Sequence, residues 1–313
     1  MKQENCFDVR GQSIAVAGGS RGLGRELALH LIDQGANVNI IARTQKPLDD
    51  TQKEMQARVK KSDQVASSTA LDLTDAAKVE NFVASLSDTS STLFCVAGGT
   101  ADEVGFFADI SPNDIKSCLE RNYLSAAFIA HAFLRRWLKQ PPSENITRHI
   151  IFTASTAAFV GLPGYSAYCP TKAATRALAD TLRQELLLYR SQQDIRVHCT
   201  FPGTIYTDAF FQEQLRKPHL LKELEGSDED GGGLPAGRVA ELILSGLKKG
   251  HYFITVDSDT ALLLNNMRGP SPRDRPVWDW FLGFAASFMW PYYRQKFDRE
   301  TFNYGKETLK TEM

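Results

Sequence analysis

Short apolar runs alternate with longer amphipathic stretches along most of the chain. The stretches have apolar residues at three- and four-residue spacing, as in Leu23, Leu27 and Leu31, which predicts helices. Strands that alternate with helices form parallel sheets through right-handed crossovers. We therefore predict an α/β fold with a single Rossmann-type, doubly wound parallel sheet of about seven strands. The predicted strands are Ser13–Ala17, Val38–Ala42, Ser68–Leu71, Thr92–Ala97, His149–Thr153, Ile195–Thr200 and Tyr252–Val256.

The α/β pattern ends near Asp257, which predicts one domain over residues 8–257 and a C-terminal hydrophobic extension over residues 258–313. Trp280–Trp290 is uncharged but too short to span a bilayer as a helix, which needs about 20 residues. Dense aromatic residues with Arg and Lys nearby are typical of a membrane-interfacial segment, which we predict over residues 277–293. The alternative is a helix that packs on the catalytic domain or on a dimer partner.

Composition narrows the class of protein. The 313 residues have a net charge of −1, which argues against a general nucleic-acid binder. The five cysteines are scattered without metal-ligand spacing, so we expect reduced thiols in a cytosol-facing protein and no metal site. The first twenty residues have no apolar core, so no secretory signal peptide is expected.

A glycine-rich loop joins the first predicted strand to the first helix. Gly18, Gly22 and Gly24 allow the backbone to turn tightly and approach a pyrophosphate at the helix N-terminus. Such a loop alone is weak evidence, since a tight turn that binds nothing has the same composition. Its place between strand and helix favours a dinucleotide site that includes Ser20, Arg21 and Leu23.

The end of the second strand indicates which dinucleotide binds. An NAD site usually has Asp or Glu there, whereas this strand ends at Arg43, with Lys46 beyond it and Arg21 in the glycine loop. Guanidinium groups bind a 2′-phosphate through charge-assisted hydrogen bonds, so the sequence predicts NADPH. The cofactor site also includes Ala97 and Gly98 at the fourth strand end, and Asp72 and Leu73 beside the adenine. Asp72 has an alternative role as the N-cap of the next helix.

Tyr168 and Lys172 are four residues apart at the start of a predicted helix and therefore share one face. A free phenol has a pKa of about 10, and a nearby ammonium lowers it towards useful proton transfer. A Tyr-x-x-x-Lys pair is common by chance, and a packed Tyr with a surface Lys is the ordinary alternative. The upstream Ser155 and the position after the fifth strand favour catalysis.

Over residues 8–257 the chain resembles the short-chain dehydrogenase/reductases. The matching elements are Gly18-x-x-x-Gly22-x-Gly24, Asn122, Ser155, Tyr168-x-x-x-Lys172 and Pro202-Gly203-Thr204-Ile205-Tyr206-Thr207. The chain departs from the family pattern at Ala17, where Thr is usual, and at Cys95, where Asn is usual.

The resemblance implies a ketone reductase with four catalytic residues. Tyr168 would donate the proton to the carbonyl oxygen, and Ser155 would hydrogen-bond that oxygen. Lys172 would bind the nicotinamide ribose and lower the pKa of Tyr168, and Asn122 would hold a water of the proton relay. Ile205 and Thr207 would contact the carboxamide, beside Pro202 and Gly203.

The resemblance also implies a substrate lid, over residues 207–233, with apolar residues such as Phe210 and Phe211. They suit a lipophilic substrate, although ordinary helix packing gives the same pattern. The context Gly164–Tyr168, Ala42-Arg43 and Lys248–Tyr252 is similar to the 3-ketodihydrosphingosine reductases. This similarity implies reduction of a long-chain lipid ketone by NADPH at the cytosolic face of the endoplasmic reticulum membrane.

Other functions stay open at this point. One is reduction of another lipophilic ketone, such as a steroid, a retinoid or a fatty acyl ketone. The other is a non-catalytic NADP(H)-binding regulator. A homo-oligomer is compatible with either.

Overall fold

A single parallel sheet organises the chain, as predicted. The computed structural model describes residues 7–86, 90–100, 103–141, 146–226, 232–269 and 271–311. Within them, the sheet has seven strands in the order β3-β2-β1-β4-β5-β6-β7. The strands are β1 (Ser13–Ala17), β2 (Asn37–Ala42), β3 (Ala66–Ala70), β4 (Thr92–Cys95), β5 (Thr147–Thr153), β6 (Asp194–Phe201) and β7 (Phe253–Thr255).

Helices cover both faces of the sheet, and each face has its own apolar core. Residues of α1 (Gly22–Asp33), α2 (Gln45–Arg58) and α9 (Ala236–Lys248) form the core on one face. Residues of α3 (Ala76–Ser85), α5 (Ser125–Leu138) and α6 (Tyr168–Glu185) form the core on the other face. A parallel sheet buried on both sides needs continuous apolar strands, which is why all four residues of β4 are buried.

The strand order reverses between β1 and β4, which are neighbours in the sheet although two strands lie between them in sequence. Ligands of open α/β sheets bind at such a switch point, outside the carboxyl ends of the strands. Strand β4 ends at Cys95, two residues earlier than predicted. The chain turns there because the N–H groups of Val96 and Ala97 both donate to the carbonyl of Ala17, at 2.8 and 2.9 Å.

The predicted lid contains two short helices, α7 (Asp208–Gln214) and α8 (His219–Glu225). A two-residue strand at Ile205–Tyr206 pairs with another at Leu234–Pro235 and closes the base of this segment. Residues 227–231 of the predicted lid 207–233 lie outside the described residues.

The predicted C-terminal extension consists of α10 (Ser258–Met267) and the long helix α11 (Pro276–Thr311). Leu263 and Leu264 of α10 belong to the core on the α3–α5–α6 face, so this helix packs as part of the main body. Helix α11 packs on α10 and also touches α8 of the lid. In the part of the chain that the structure describes, none of the helices combines the length and apolar character needed to cross a bilayer.

Asp279 attaches the start of α11 to the main body. Its carboxylate forms a buried ion pair with Arg268 at 2.7 Å and also accepts from the backbone N–H of Arg275 at 3.2 Å. Leaving either charge of such a buried pair without its partner is costly. The position of α11 on the body is therefore fixed by a specific contact.

Candidate active site

The glycine loop is packed closely against the strand ends of the switch point. Gly18 has a φ of 92°, and a Cβ on it would collide with the backbone of Ala97. A Cβ on Gly24 would collide with the carbonyl of Gly18, so the first turn of α1 lies directly on the loop. Only glycine permits both the positive φ and these contacts. The backbone of the loop therefore lies at the N-terminus of α1. Backbone N–H groups at a helix N-terminus bind anions, so this position suits the pyrophosphate of a dinucleotide.

On the other side of the site, Thr207 lies against Gly22 of the glycine loop. Gly22 has a φ of 52°, and a Cβ on it would lie 3.2 Å from Cγ2 of Thr207. Thr207 caps α7, since its Oγ1 accepts from the N–H of Phe210 at 3.2 Å. Of the predicted residues Pro202, Gly203, Ile205 and Thr207, it is Thr207 that lies against the glycine loop, whereas Pro202 accepts from Thr156 and Ile205 packs against the core.

The three predicted phosphate-binding cations differ in their contacts with carboxylates. Arg21 and Arg43 are exposed, and neither forms a salt bridge with a carboxylate of the described residues. Lys46 instead bonds Asp50 one turn along α2, at 3.0 Å. Arg21, in the glycine loop before α1, and Arg43, directly after β2, are therefore without a carboxylate partner in a salt bridge among the described residues.

Asp72 does not cap α3, which was the alternative to its cofactor role. Asp75 is the N-cap, and its side chain accepts from the N–H of Lys78 at 3.0 Å. Asp72 accepts instead from both the N–H and the hydroxyl of Thr74. Burial acts to raise the pKa of Asp72, but the bonds from Thr74 and the charge of Arg43 lower it below its usual value. The neighbouring Leu73 is buried in the core.

Tyr168 and Lys172 share one face at the start of α6, as predicted. Lys172 is buried, and its Nζ lies 5.5 Å from the centre of the Tyr168 ring. This amine donates to the carbonyl of Thr153 at 3.1 Å, which fixes it beneath the end of β5. Burial lowers the pKa of Lys172 to about 8.

The pKa of Tyr168 differs from the expectation of a lowered value. Burial raises it, and the negative charge of Glu213 raises it further. A hydrogen bond with the Ser155 side chain acts in the opposite direction but does not compensate. The protein side chains alone therefore hold the phenol protonated, which is the form that can donate a proton to a carbonyl oxygen.

Asn122 lies in a π-helical turn, Glu120–Leu124, that joins α4 (Pro112–Leu119) to α5. Such turns often occur at functional sites. The side chain is buried and bonds the backbone: its Oδ1 accepts from the N–H of Gly99, and its Nδ2 donates to the carbonyls of Gly99 and Cys118. Asn122 thus shapes the loop after β4, where Gly98 would place a Cβ 2.7 Å from Asn122 Oδ1. Its role towards a water, implied by the resemblance, stays a prediction.

The turn after β5 connects Ser155 to α10. Ser155 begins a 3₁₀ turn at Thr156–Ala158, and its hydroxyl accepts from the N–H of Ala157 at 3.2 Å. The hydroxyls of Thr156 and Thr260 are 2.6 Å apart, and Thr156 also donates to the carbonyl of Pro202 at 3.3 Å. The residue that follows Ser155 is therefore held by α10 and by the loop after β6.

A buried ionic cluster links the lid to the body, and the sequence analysis did not identify it. Lys217 lies 2.9 Å from Glu213 and also pairs with Glu225. From the body, the hydroxyls of Thr100 and Tyr165 donate to Glu213, the latter at 2.5 Å. The spacing Glu213-x-x-x-Lys217 was the available signal, because residues four apart meet on a helix. The contacts with Thr100, Tyr165 and Glu225 depend on how the lid folds back.

Comparisons with known proteins agree with this geometry. The family model described as short chain dehydrogenase matches residues 12–217. The 3-ketodihydrosphingosine reductase of Aspergillus fumigatus is 36% identical over 96% of this chain and 86% of its own length. The reductase of the same name from Yarrowia lipolytica is 32% identical, over 87% of this chain and 72% of its own.

Two further similarities concern a longer protein and a solved structure. A fusion protein of Schizosaccharomyces pombe, named for PIGF and 3-ketodihydrosphingosine reductase, is 34% identical over 97% of this chain and 59% of its own length. The crystal structure of a short-chain dehydrogenase/reductase from Vibrio parahaemolyticus superimposes with a TM-score of 0.52 at 25% identity. That match covers 62% of this chain and 77% of the Vibrio chain.

Proposed function

Because the chain belongs to the short-chain dehydrogenase family, we propose that it uses NADPH to reduce the ketone of 3-ketodihydrosphingosine to dihydrosphingosine. The observation that carries the proposal is the half-buried Tyr168, which lies between Ser155 and Lys172 and beside a lid that contacts α11. The names of the relatives support this substrate.

Reduction of the ketone adds a hydride to the carbonyl carbon and a proton to the carbonyl oxygen. A bound nicotinamide cofactor supplies the hydride, and the protein supplies the proton. Tyr168 donates its phenolic proton to the carbonyl oxygen, and Ser155 hydrogen-bonds that oxygen and fixes its direction. The ammonium of Lys172 would hold the ribose of the cofactor, and its positive charge stabilises the phenolate that forms on Tyr168. The pKa of Lys172, lowered to about 8, lets this amine release a proton during recovery of Tyr168.

The choice of NADPH rests on Arg21 and Arg43. Both guanidinium groups are exposed at the glycine-loop side of the sheet. A 2′-phosphate carries the charge and the acceptor oxygens that suit two such groups. NADH has only hydroxyls there and gains no ion pair.

The proposal places catalysis at a lipid surface. One side of α11 forms an aromatic surface whose members have half or more of their area exposed: Trp278, Trp280, Phe281, Phe284, Phe288 and Tyr292. Exposed Trp, Tyr and Phe of this density favour the interface of a bilayer. Helix α11 also touches α8 of the lid, so the aromatic helix lies beside the segment that covers the proposed site. We include the cytosolic face of the endoplasmic reticulum in the proposal, by similarity to the sphingolipid reductases.

A substrate panel tests the proposal against its alternatives. Full-length protein with NADPH is given 3-ketodihydrosphingosine, a steroid ketone, retinal and a 3-ketoacyl ester, and the products are identified by mass spectrometry. We expect efficient reduction of 3-ketodihydrosphingosine. Reduction of another carbonyl compound of the panel, without reduction of 3-ketodihydrosphingosine, would overturn the proposed substrate.

The Tyr168→Phe variant tests whether the protein acts as an enzyme through the assigned residues. General acid catalysis typically contributes a factor of roughly 10²–10⁴ in rate, so turnover should fall by that order while NADPH still binds. Unchanged turnover would place the proton donor elsewhere. Wild-type protein that binds NADPH but reduces no ketone would favour the regulator.

A further inference from the structure

The lid ionic cluster, formed by Glu213, Lys217 and Glu225, is nearly shielded from solvent. Only 1% of the Lys217 side chain is exposed, and the two carboxylate side chains are 11% and 15% exposed. Its three members come from the lid, whereas Thr100 and Tyr165 reach it from the body. The cluster is therefore formed when the lid lies over the site.

The charges of this cluster do not cancel. Among the described residues that form it, two carboxylates share a single ammonium, and the groups that the body contributes are uncharged hydroxyls. A buried carboxylate normally has a cationic partner, because burial of an unpaired charge is costly. Burial indeed raises the pKa of Glu225, although Lys217 lowers it. The contacts themselves show that the cluster has one carboxylate more than it has cations.

The cluster is next to the proton donor. Tyr165, which donates to Glu213 at 2.5 Å, has its ring centre 5.3 Å from that of Tyr168. The charge of Glu213 is felt by Tyr168, where it contributes to the raised pKa. Lys172 is fixed separately, by its bond to the carbonyl of Thr153.

We infer that Glu213 binds the ammonium group next to the ketone of the substrate and so selects amino ketones over ketones without an amine. The inference rests on the proposed function, since 3-ketodihydrosphingosine has its amine on the carbon adjacent to the carbonyl carbon. With the carbonyl oxygen at Tyr168 and Ser155, this amine lies one bond from the reacting carbon. A carboxylate beside Tyr168 can then accept a charge-assisted hydrogen bond from it. While Glu213 binds the substrate ammonium, Glu225 remains the partner of Lys217.

The experiment compares kcat/KM for 3-ketodihydrosphingosine with that for 1-hydroxyoctadecan-3-one, which has the same chain but no amine. In the Glu213→Gln variant, kcat/KM for the amino ketone should fall by roughly ten- to a hundredfold, the usual effect of losing a hydrogen bond to a charged group. The value for the amine-free ketone should change far less. Equal losses for both ketones would overturn the inference and make Glu213 a structural residue of the lid.

Two variants serve as controls for the substitution itself. Glu223→Gln makes the same change at an exposed position of α8, where Glu223 faces His219, and should leave the ratio of the two kcat/KM values as in the wild type. Tyr165→Phe removes a hydrogen bond of the cluster without changing its charge. Tyr165→Phe should lower the kcat/KM values for the two ketones by the same factor, because it weakens lid closure but leaves the charge of Glu213 in place. A selective loss for the amino ketone in Glu213→Gln is then due to the charge and not to lid closure.

Binding to the wild-type protein provides a measurement that does not depend on turnover or on the folding of a variant. Dihydrosphingosine and octadecane-1,3-diol are titrated into the complex with NADP⁺. The amine should bind roughly ten times more tightly or better, and equal affinity would overturn the inference. A wild-type protein that prefers the amine but does not reduce 3-ketodihydrosphingosine would refute the proposed function and leave the ammonium site standing.

Discussion

Asn122 holds Gly99 through both polar groups of that residue's backbone. Its Oδ1 accepts from the N–H of Gly99 at 2.8 Å, and its Nδ2 donates to the carbonyl of Gly99 at 2.9 Å. Gly98 and Gly99 both have positive φ values, 155° and 109°. A loop of two glycines has many accessible conformations, and the amide of Asn122 selects the one that leaves the end of β4 open to the cofactor.

The Asn122→Ala variant should therefore lose stability as well as activity. It removes the partner of two partly buried backbone groups of Gly99 and of the buried carbonyl of Cys118, which typically costs about 1–3 kcal/mol. We expect the free energy of unfolding to fall by that amount in urea titrations and the KM for the cofactor to rise. Full stability with low kcat would instead indicate that Asn122 acts in the proton relay.

Lys172 should make stability depend on pH in a defined direction. Burial lowers its pKa from 10.5 to about 8, so between these values the unfolded chain binds one proton more than the folded protein. Stability therefore rises with pH across this window, by about 3 kcal/mol in total, and below pH 8 the full cost of the buried ammonium is present.

The difference in unfolding free energy between Lys172→Met and wild type isolates this effect. It should favour the variant most below pH 8 and decline by about 3 kcal/mol as the pH rises to 10.5. Lys53→Met, at an exposed position of α2, is the matched control. A difference that does not vary with pH would mean that the amine titrates alike in both states.

Arg43→Asp should change cofactor selectivity. The carboxylate repels a 2′-phosphate and can accept from a 2′-hydroxyl, so NADPH binding should weaken by roughly tenfold or more while NADH binding changes little. Fluorescence titration of both cofactors measures this. Lys53→Gln, at an exposed position of α2 outside the predicted cofactor site, is the control and should affect NADPH binding far less. Equal weakening of both cofactors by Arg43→Asp would show that the 2′-phosphate is bound elsewhere.

The aromatic surface of α11 should bind vesicles. Replacement of Trp280, Phe284 and Phe288 by Ser removes apolar area without touching the pair of Arg268 and Asp279, so vesicle association should fall severalfold while the melting temperature is retained. Co-sedimentation with phospholipid vesicles measures the bound fraction. Leu188→Ser, an exposed apolar position after α6, should leave association as in the wild type. If the triple variant dissociates a dimer and still binds vesicles, this surface is a protein interface.

Local patterns were enough to predict the sheet, the glycine loop and the pair of Tyr168 and Lys172. Each of these features depends on residues only a few positions apart in the sequence. The alternation of strands and helices then places the loop and the pair at the carboxyl ends of the strands. The lid ionic cluster and the pair of Arg268 and Asp279 join residues whose separation is set by turns without a periodic signal. The pKa of Tyr168 differed from expectation for a related reason: its sign depends on burial and on Glu213, which no spacing in the sequence reveals.

The hydroxyl pair of Thr156 and Thr260 limits how far the chain can be shortened. A fragment that ends after β7 would contain the whole sheet and all four predicted catalytic side chains. It would nevertheless lack the residue that holds the turn behind Ser155, and the apolar residues of α10 that complete one core. A self-sufficient version of this protein must therefore extend at least through α10, so the boundary of the folding unit lies beyond the boundary of the sheet.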